Sequence, residues 1–337
     1  MRLYSEAPER RLQTRERNLT SATDPAGRTN RRGAVRVVVN ADDFGRSPEV
    51  VAAVAQAYDE GILTSASLMV TGGAVAAAVQ AARERPGLGV GLHLVLARAR
   101  AASSPQEVPH MTDEVGLLPR SVTWAGLLYL FSPAARRELA RELRAQFEAF
   151  AATGLSLSHV DSHHHLHLHP AVFPLVLSLA HEFGAGAIRL NVSDELLFSL
   201  RHELAHPWLK LGWKLVFSLL TFRCARTLRR RPLPTAARVY GLMQSGSFTA
   251  RYLAALLEHL VQRRRPSAAA EVVEIYCHPS LRRESGALGP NPGDLAALLD
   301  PWVRSVAEQD GLLLMNFAEA FGPELQEKSE AWRNWPT

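Results

Sequence analysis

From Val35 onward, short apolar runs alternate with segments whose apolar positions recur every three or four residues. Period-free apolar runs of four to eight residues read as buried strands, and the three-to-four spacing reads as helices with one face on a core. Val35 to Val39 is the first strand, Thr64 to Val70 the second and Leu88 to Val95 the third. Between them, Ser47-Pro48 opens a helix to Tyr58 closed by Gly61, and Ala74 to Arg85 forms another that stops before Pro86. The stretch Ala97 to Phe131, with Pro105, Pro109 and Pro119, reads as irregular. Ser132-Pro133 then opens a long amphipathic helix to about Ala152, ended by Gly154. Leu155 to Val160, Ala187 to Leu190, Arg238 to Leu242, Glu271 to Cys277 and Leu312 to Met315 complete eight strands. Helices are expected over Ala171 to Phe183, Arg251 to Arg263 and Asp294 to Glu308. This alternation predicts an α/β fold with a mostly parallel sheet, a distorted TIM-like (β/α) barrel, with a doubly wound open sheet as the alternative. Residues 194 to 236 break the rhythm and read as an insertion in a barrel spanning 35 to 322, followed by a tail over 323 to 337.

Composition narrows the class without naming a chemistry. The chain has 337 residues, 47% hydrophobic and 21% charged, enough for a large globular core. Its net charge of +5 is carried by arginine rather than lysine, with no basic stripe interleaved with aromatics, so nucleic acid is excluded as a partner. Cys224 and Cys277 make no C-x-x-C pair and no disulfide framework, which fits a reducing cytoplasm. Residues 1 to 34 are polar and arginine-rich, lack the apolar core of a signal peptide, and are expected to be a disordered or misannotated extension. No run of eighteen apolar residues predicts a transmembrane helix. The nearest approach, Pro207 to Arg226, carries Trp, Phe and Leu with interspersed Lys and Arg. It suits a helix lying on the inner face of a membrane, with a buried amphipathic helix or lid as the alternative.

Candidate chemistry gathers where strands end, the place barrels build their sites. Residues 158 to 170 hold six of the thirteen histidines, in Ser158-His159-Val160-Asp161-Ser162-His163-His164-His165-Leu166-His167-Leu168-His169-Pro170. Such a tract can bind metal adventitiously, but this one sits between a strand and a helix. The first strand ends in Asp42-Asp43, the third carries His93, the fourth delivers Asp161 and His163, and the seventh ends in His278. Adjacent carboxylates repel unless a cation or proton separates their roles. One carboxylate plus two imidazoles would hold a divalent cation and leave positions for water and substrate. A second carboxylate could act as general base and a further histidine as general acid. The pattern alone leaves open which of Asp42 and Asp43 is the ligand, and which tract histidine.

The segments Val38-Val39-Asn40-Ala41-Asp42-Asp43-Phe44-Gly45, Gly61 to Met69, Gly91-Leu92-His93-Leu94-Val95-Leu96, His159 to His165 and Glu274-Ile275-Tyr276-Cys277-His278-Pro279 resemble, in order, the YdjC-like carbohydrate deacetylases. That family includes chitooligosaccharide deacetylases and a branch associated with hopanoid biosynthesis. The branch is suggested only by Arg144 to Phe150 and by the segment Trp208 to Phe222. The resemblance implies a barrel of the glycoside hydrolase/deacetylase type and one divalent metal, Mg or Zn, held by Asp43, His93 and His163. It implies Asp42 as base and His278 as acid, with Asp161, His165 and Phe44 toward the substrate and Asp161 also able to orient a tract histidine. The substrate would be an acetamido sugar, either a chitooligosaccharide or a lipid-linked (hopanoid) glucosaminyl group, and the chain a homo-oligomer. The chain departs from the family's pattern after Leu96, where Ala97-Arg98-Ala99-Arg100 replaces a Gly-Arg-Pro-like turn. Two other classes remain as alternatives: a metal-dependent phosphoester hydrolase, which usually needs two metals, and a non-catalytic sugar- or metal-binding protein.

Overall fold

The computed structural model describes residues 34–191, 196–202, 207–264, 271–283 and 289–322. The expected N-terminal extension, apart from Ala34, and the expected tail lie outside the described residues.

Seven parallel strands form one curled sheet: β1 (Val35–Phe44), β2 (Ser65–Leu68), β3 (Gly89–Leu94), β4 (Val160–Ser162), β5 (Arg238–Tyr240), β6 (Glu271–Cys277) and β7 (Leu312–Leu314). Their order is β4-β3-β2-β1-β6-β5, with β7 added beside β1. β1 changes neighbour along its length: Val35–Val37 pair with Leu312–Leu314 of β7, and Asn40 and Ala41 with Ser65 and Ala66 of β2. It is buried along nearly its whole length, so it reads as a continuous apolar run rather than an alternating one.

Helices wrap the sheet: α1 (Pro48–Glu60), α2 (Val75–Arg83), α3 (Val122–Phe131), α4 (Pro133–Ala152), α5 (Phe173–Glu182), α6 (Leu196–His202), α7 (Pro207–Leu228), α8 (Ala250–Arg263), α9 (Pro292–Leu299) and α10 (Pro301–Ala307). The starts follow the expected capping chemistry. Ser47 and Ser132 accept hydrogen bonds from Val50 and Ala135 backbone N–H groups, each with proline next in the chain.

The sheet confirms the distorted barrel and shows where the distortion lies. The expected fifth strand, Ala187 to Leu190, shrinks to one parallel bridge between Val160 and Ile188, with Ile188 N–H donating to Pro234 O at 2.9 Å. The segment thus spans from β4 toward the approach to β5 without forming a ladder. The stretch expected to be irregular before Phe131 contains α3, whose apolar residues fall all round and so give no helical stripe. The single helix expected over Asp294 to Glu308 is two, because Pro301 cannot donate and holds Asp300 extended, where its carboxylate caps α10. Among the described residues, no helix is long and apolar enough to cross a membrane.

Candidate active site

The site lies at the carboxyl ends of β1, β3, β4 and β6, and strand register accounts for much of it. Neighbouring residues on a regular strand face opposite sides, so Asp42 and Asp43 should diverge. They do not, because the β1–β2 register breaks between Ala41 and Phe44, and Asp43 takes a left-handed φ of 63°. That conformation is uncommon for a residue with a Cβ and marks a spot where packing holds the backbone against its preference. It is what lets adjacent carboxylates serve one cleft. The parallel register of β3 and β4 sets His93 opposite Asp161, and the β1–β6 ladder ends at Ala41 and Cys277, one residue short of Asp42 and His278.

Asp43, His93 and His163 come together as expected. His163 Nδ1 is 2.9 Å and His93 Nε2 3.3 Å from Asp43 Oδ1, and one ligand atom from each residue lies within 4.8 Å of the others. Asp43 Oδ1 and His93 Nε2 are buried without a properly formed hydrogen bond. Buried polar atoms are rarely left so, and an orphaned oxygen and nitrogen beside the His163 ring fit a divalent cation. On its other side, His93 Nδ1 meets Asp161 Oδ1 at 2.7 Å, which fixes the ring so that Nε2 faces Asp43.

Electrostatics agree with a cation site. Burial disfavours charge on Asp43, but His163 and His93 outweigh it and hold the carboxyl well below the usual carboxylate range. Burial likewise works against a protonated His93, yet Asp161 and Asp43 raise its pKa to about 10.

Asp42 occupies a different environment. Arg189 is fully buried and donates from Nη1 to Asp42 Oδ2 and from Nη2 to Asp42 Oδ1, both at 2.8 Å, while Nε donates to Glu274 Oε1 at 2.7 Å. Its Nη2 also lies 2.8 Å from Asp161 Oδ2. Asn40 Nδ2 supplies a further donor to Asp42 Oδ1 at 2.8 Å. Oδ1 is thereby saturated, whereas Oδ2 keeps one lone pair, and His278 Nε2 stands 4.0 Å from it. Asp294 accepts from the His278 backbone N–H at 2.9 Å and so fixes that residue's main chain. A second grouping with metal-ligand spacing, Asp42, His93 and Asp161, is filled by the Arg189 guanidinium. A second cation there would have to expel an arginine that three carboxylates hold.

The histidine tract is a tight turn rather than a strand. His163–Leu168 is a 3-10 segment, with His164 and His165 both at φ 56°. His167 is spent on structure, its Nδ1 bonded to Ser162 Oγ and its Nε2 donating to the Arg189 carbonyl. His165 Nε2 bonds Tyr276 Oη at 2.9 Å, and burial pushes its pKa well down, so it is a neutral wall. His159 sits outside the cleft, between Ser67 and Ser158 hydroxyls and stacked on Phe317 at 3.9 Å.

Two expected substrate contacts are corrected. Asp161 is fully buried, and its oxygens are taken by His93, Ser67 and Arg189. It orients His93 rather than a tract histidine and offers no face to a substrate. Phe44, just past the β1 irregularity at Asp43, is fully buried in the hydrophobic core. Arg189 and Glu274 were not anticipated. Their signal was present, as charged residues within apolar strand runs, where burial requires a partner.

The loop after β3 is anchored through α3 and α4. Gln146 clamps both the N–H and the carbonyl of Val95, Glu142 accepts from the backbone of Ala102 and Ser103, and Tyr129 Oη donates to Leu96 O. The Arg144 to Phe150 segment thus does scaffolding work here.

The YdjC-like protein family model matches residues 36–309. A carbohydrate deacetylase of Brevibacillus brevis is 48% identical over 149 residues, covering 44% of this chain and 57% of that protein. A carbohydrate deacetylase of Geobacillus stearothermophilus is 29% identical over 289 residues, covering 84% of this chain and 97% of its own length. A chitooligosaccharide deacetylase of Salmonella newport is 37% identical over 156 residues, 46% of this chain and 59% of that protein. The match thus spans less than two thirds of the first and third of these relatives. A solved structure from Enterococcus faecalis, described as a proposed cellobiose-phosphate cleavage protein, superposes with a TM-score of 0.65 at 23% identity. It covers 85% of this chain and 99% of its own, a likeness of fold.

Proposed function

This chain belongs to the YdjC-like family, and from that premise we propose that it is a metal-dependent carbohydrate N-deacetylase, releasing acetate from an acetamido sugar. The observation that carries the reading is the pair of orphaned donors, Asp43 Oδ1 and His93 Nε2, gathered with His163 beside an Asp42–His278 pair. Asp43, His93 and His163 would hold one divalent cation, Mg or Zn. Bound there, it would supply Lewis acidity toward the acetyl carbonyl and make water more acidic.

The remaining work falls to side chains. Asp42, through the open lone pair of Oδ2, accepts a proton from water as the water oxygen attacks the acetyl carbon. Arg189 keeps that carboxylate in one orientation, so no reorganisation is needed as the proton moves. The tetrahedral adduct collapses as the C–N bond breaks, and His278 gives its proton to the departing nitrogen. The products are acetate and a free amino sugar; Asp42 releases the proton taken from water and His278 takes one up, which returns both groups to their starting states.

The deacetylase names of the relatives support an acetylated carbohydrate as substrate, and a chitooligosaccharide or a lipid-linked glucosaminyl group of the hopanoid kind both carry the required group. The two-metal phosphoester alternative is disfavoured by Arg189, which fills the second grouping. The test is acetate release from a panel of acetamido sugars, one of them lipid-linked, with and without a chelator. Acetate from at least one sugar, abolished by chelation and restored by Mg or Zn, is expected. Phosphate release from a phosphosugar panel without acetate release would replace this reading.

A further inference from the structure

We propose that this protein docks on an anionic lipid bilayer through the outward faces of α3 and α7. A helix on a globular surface normally turns polar residues to water. Helix α7 also turns apolar residues to water. Trp208, Leu211, Leu215, Leu219 and Phe222, spaced three and four apart, form an exposed apolar stripe in which Trp208 is 82% and Leu215 73% exposed. Its inward side holds Thr221, Cys224 and Leu228. At 22 residues the helix runs about 33 Å. Helix α3 repeats the pattern with Trp124, Leu127, Leu130 and Phe131, the last 72% exposed.

Both helices pack on the turn that carries His163. Gly126 of α3 lies against the His169 ring, Cys224 of α7 donates to Leu168 O at 3.4 Å, and the Phe217 ring lies 5.4 Å from His165. Apolar surface of this extent, rimmed by charge, marks an interaction site.

Charge selects the occupant. Residues 207–231 contain seven Lys or Arg and no Asp or Glu. Arg223, Arg226, Arg229 and Arg230 are exposed at the C-terminal end of α7 and just beyond it, and the Arg226 guanidinium lies 5.6 Å above the Phe222 ring. A second copy packed on this face would bring like charges together. A bilayer with anionic headgroups takes both the basic groups and the Trp, Leu and Phe side chains. Since no described helix can cross a membrane, α7 would lie in the interface. The inference is independent of the proposed reaction.

The experiment is sedimentation of the full chain with phosphatidylglycerol–phosphatidylcholine vesicles against phosphatidylcholine alone. Binding to the anionic vesicles, weakened by salt, is expected. The Leu215→Glu/Leu219→Glu variant should bind at least about tenfold more weakly, with an unchanged melting temperature and unchanged acetate release from a soluble acetamido sugar. Trp124→Glu/Phe131→Glu should do the same from α3 if the α7 variant folds poorly. Absence of anionic-vesicle binding, or equal binding by both variants, overturns the proposal. So does a concentration-dependent dimer, seen by light scattering, that the same substitutions abolish. Vesicle binding without acetate release from any sugar would leave this inference standing and remove the deacetylase reading alone.

Discussion

Arg189 grips Asp42 with two parallel 2.8 Å hydrogen bonds, and both side chains are buried. Asp161 and Glu274 share the same guanidinium, so one cation balances three carboxyl groups in the core. Removing it leaves buried acids without a counter-charge. Arg189→Met is expected to cost roughly 3–5 kcal/mol of stability, measurable by urea unfolding. Arg189→Lys should recover part of the stability but little turnover, because a point-charge ammonium cannot hold both oxygens of Asp42. Turnover of Arg189→Lys within a few-fold of the parent would show that the orientation of Asp42 is immaterial.

Asp42 and His278 stand off the proposed cation site, so their loss should separate chemistry from metal binding. Asp42→Asn and His278→Ala are each expected to lower kcat by about 10²–10⁴-fold while metal content per chain stays the same. The check is acetate release set beside metal analysis after gel filtration. Loss of metal in Asp42→Asn would move that residue among the ligands.

Asp161 acts on the metal only through His93. Asp161→Asn keeps an acceptor for His93 Nδ1 but removes the charge, and is expected to weaken metal affinity by about 10–100-fold. His93→Ala should abolish high-affinity binding outright. Titration calorimetry of the metal-stripped protein distinguishes the two, and equal affinities for parent and Asp161→Asn would break the link drawn between Asp161 and the metal.

Most strands and helices were legible because apolar periodicity and capping residues are local. Ser47-Pro48 and Ser132-Pro133 start helices where they stand, whatever the rest of the chain does. The convergence of Asp42-Asp43, His93, the histidine tract and His278 was legible for a different reason: parallel strands bring their carboxyl ends to one rim, while the choice of Asp43, His93 and His163 among them came only from the family resemblance. The roles of Asp161 and Phe44 were not legible, since they depend on the β1 irregularity at Asp43 and on an arginine arriving from residue 189. Nothing local announces a left-handed aspartate, or says which of six clustered histidines are spent on Ser162, Tyr276 and Arg189.

Gly91 illustrates the same non-local constraint and gives a stability test. A Cβ there would overlap the His159 ring, which is held by Ser67 and Ser158 and stacked on Phe317 and so cannot give way cheaply. Gly91→Ala is expected to destabilise by about 1–3 kcal/mol through overpacking. The double variant Gly91→Ala/His159→Ala should recover part of that loss relative to His159→Ala alone. Additive losses in a thermal-unfolding cycle would show that the two sites do not meet.

Glu274 provides the pH test. Burial raises its pKa from 4.5 to about 7, with Arg189 pulling the other way, and its Oε2 has no hydrogen-bond partner. Its pKa is higher folded than unfolded, so folding takes up a proton between pH 4.5 and 7. The resulting stabilisation is complete below pH 4.5 and is lost as pH rises through 7. Glu274→Gln keeps an acceptor for Arg189 Nε and cannot titrate. Relative to the parent, its unfolding free energy should gain on the order of 2–3 kcal/mol between pH 4.5 and 8. Urea unfolding of both proteins across that range decides it. Parallel stability curves would mean that Glu274 is ionised throughout, with Arg189 outweighing burial.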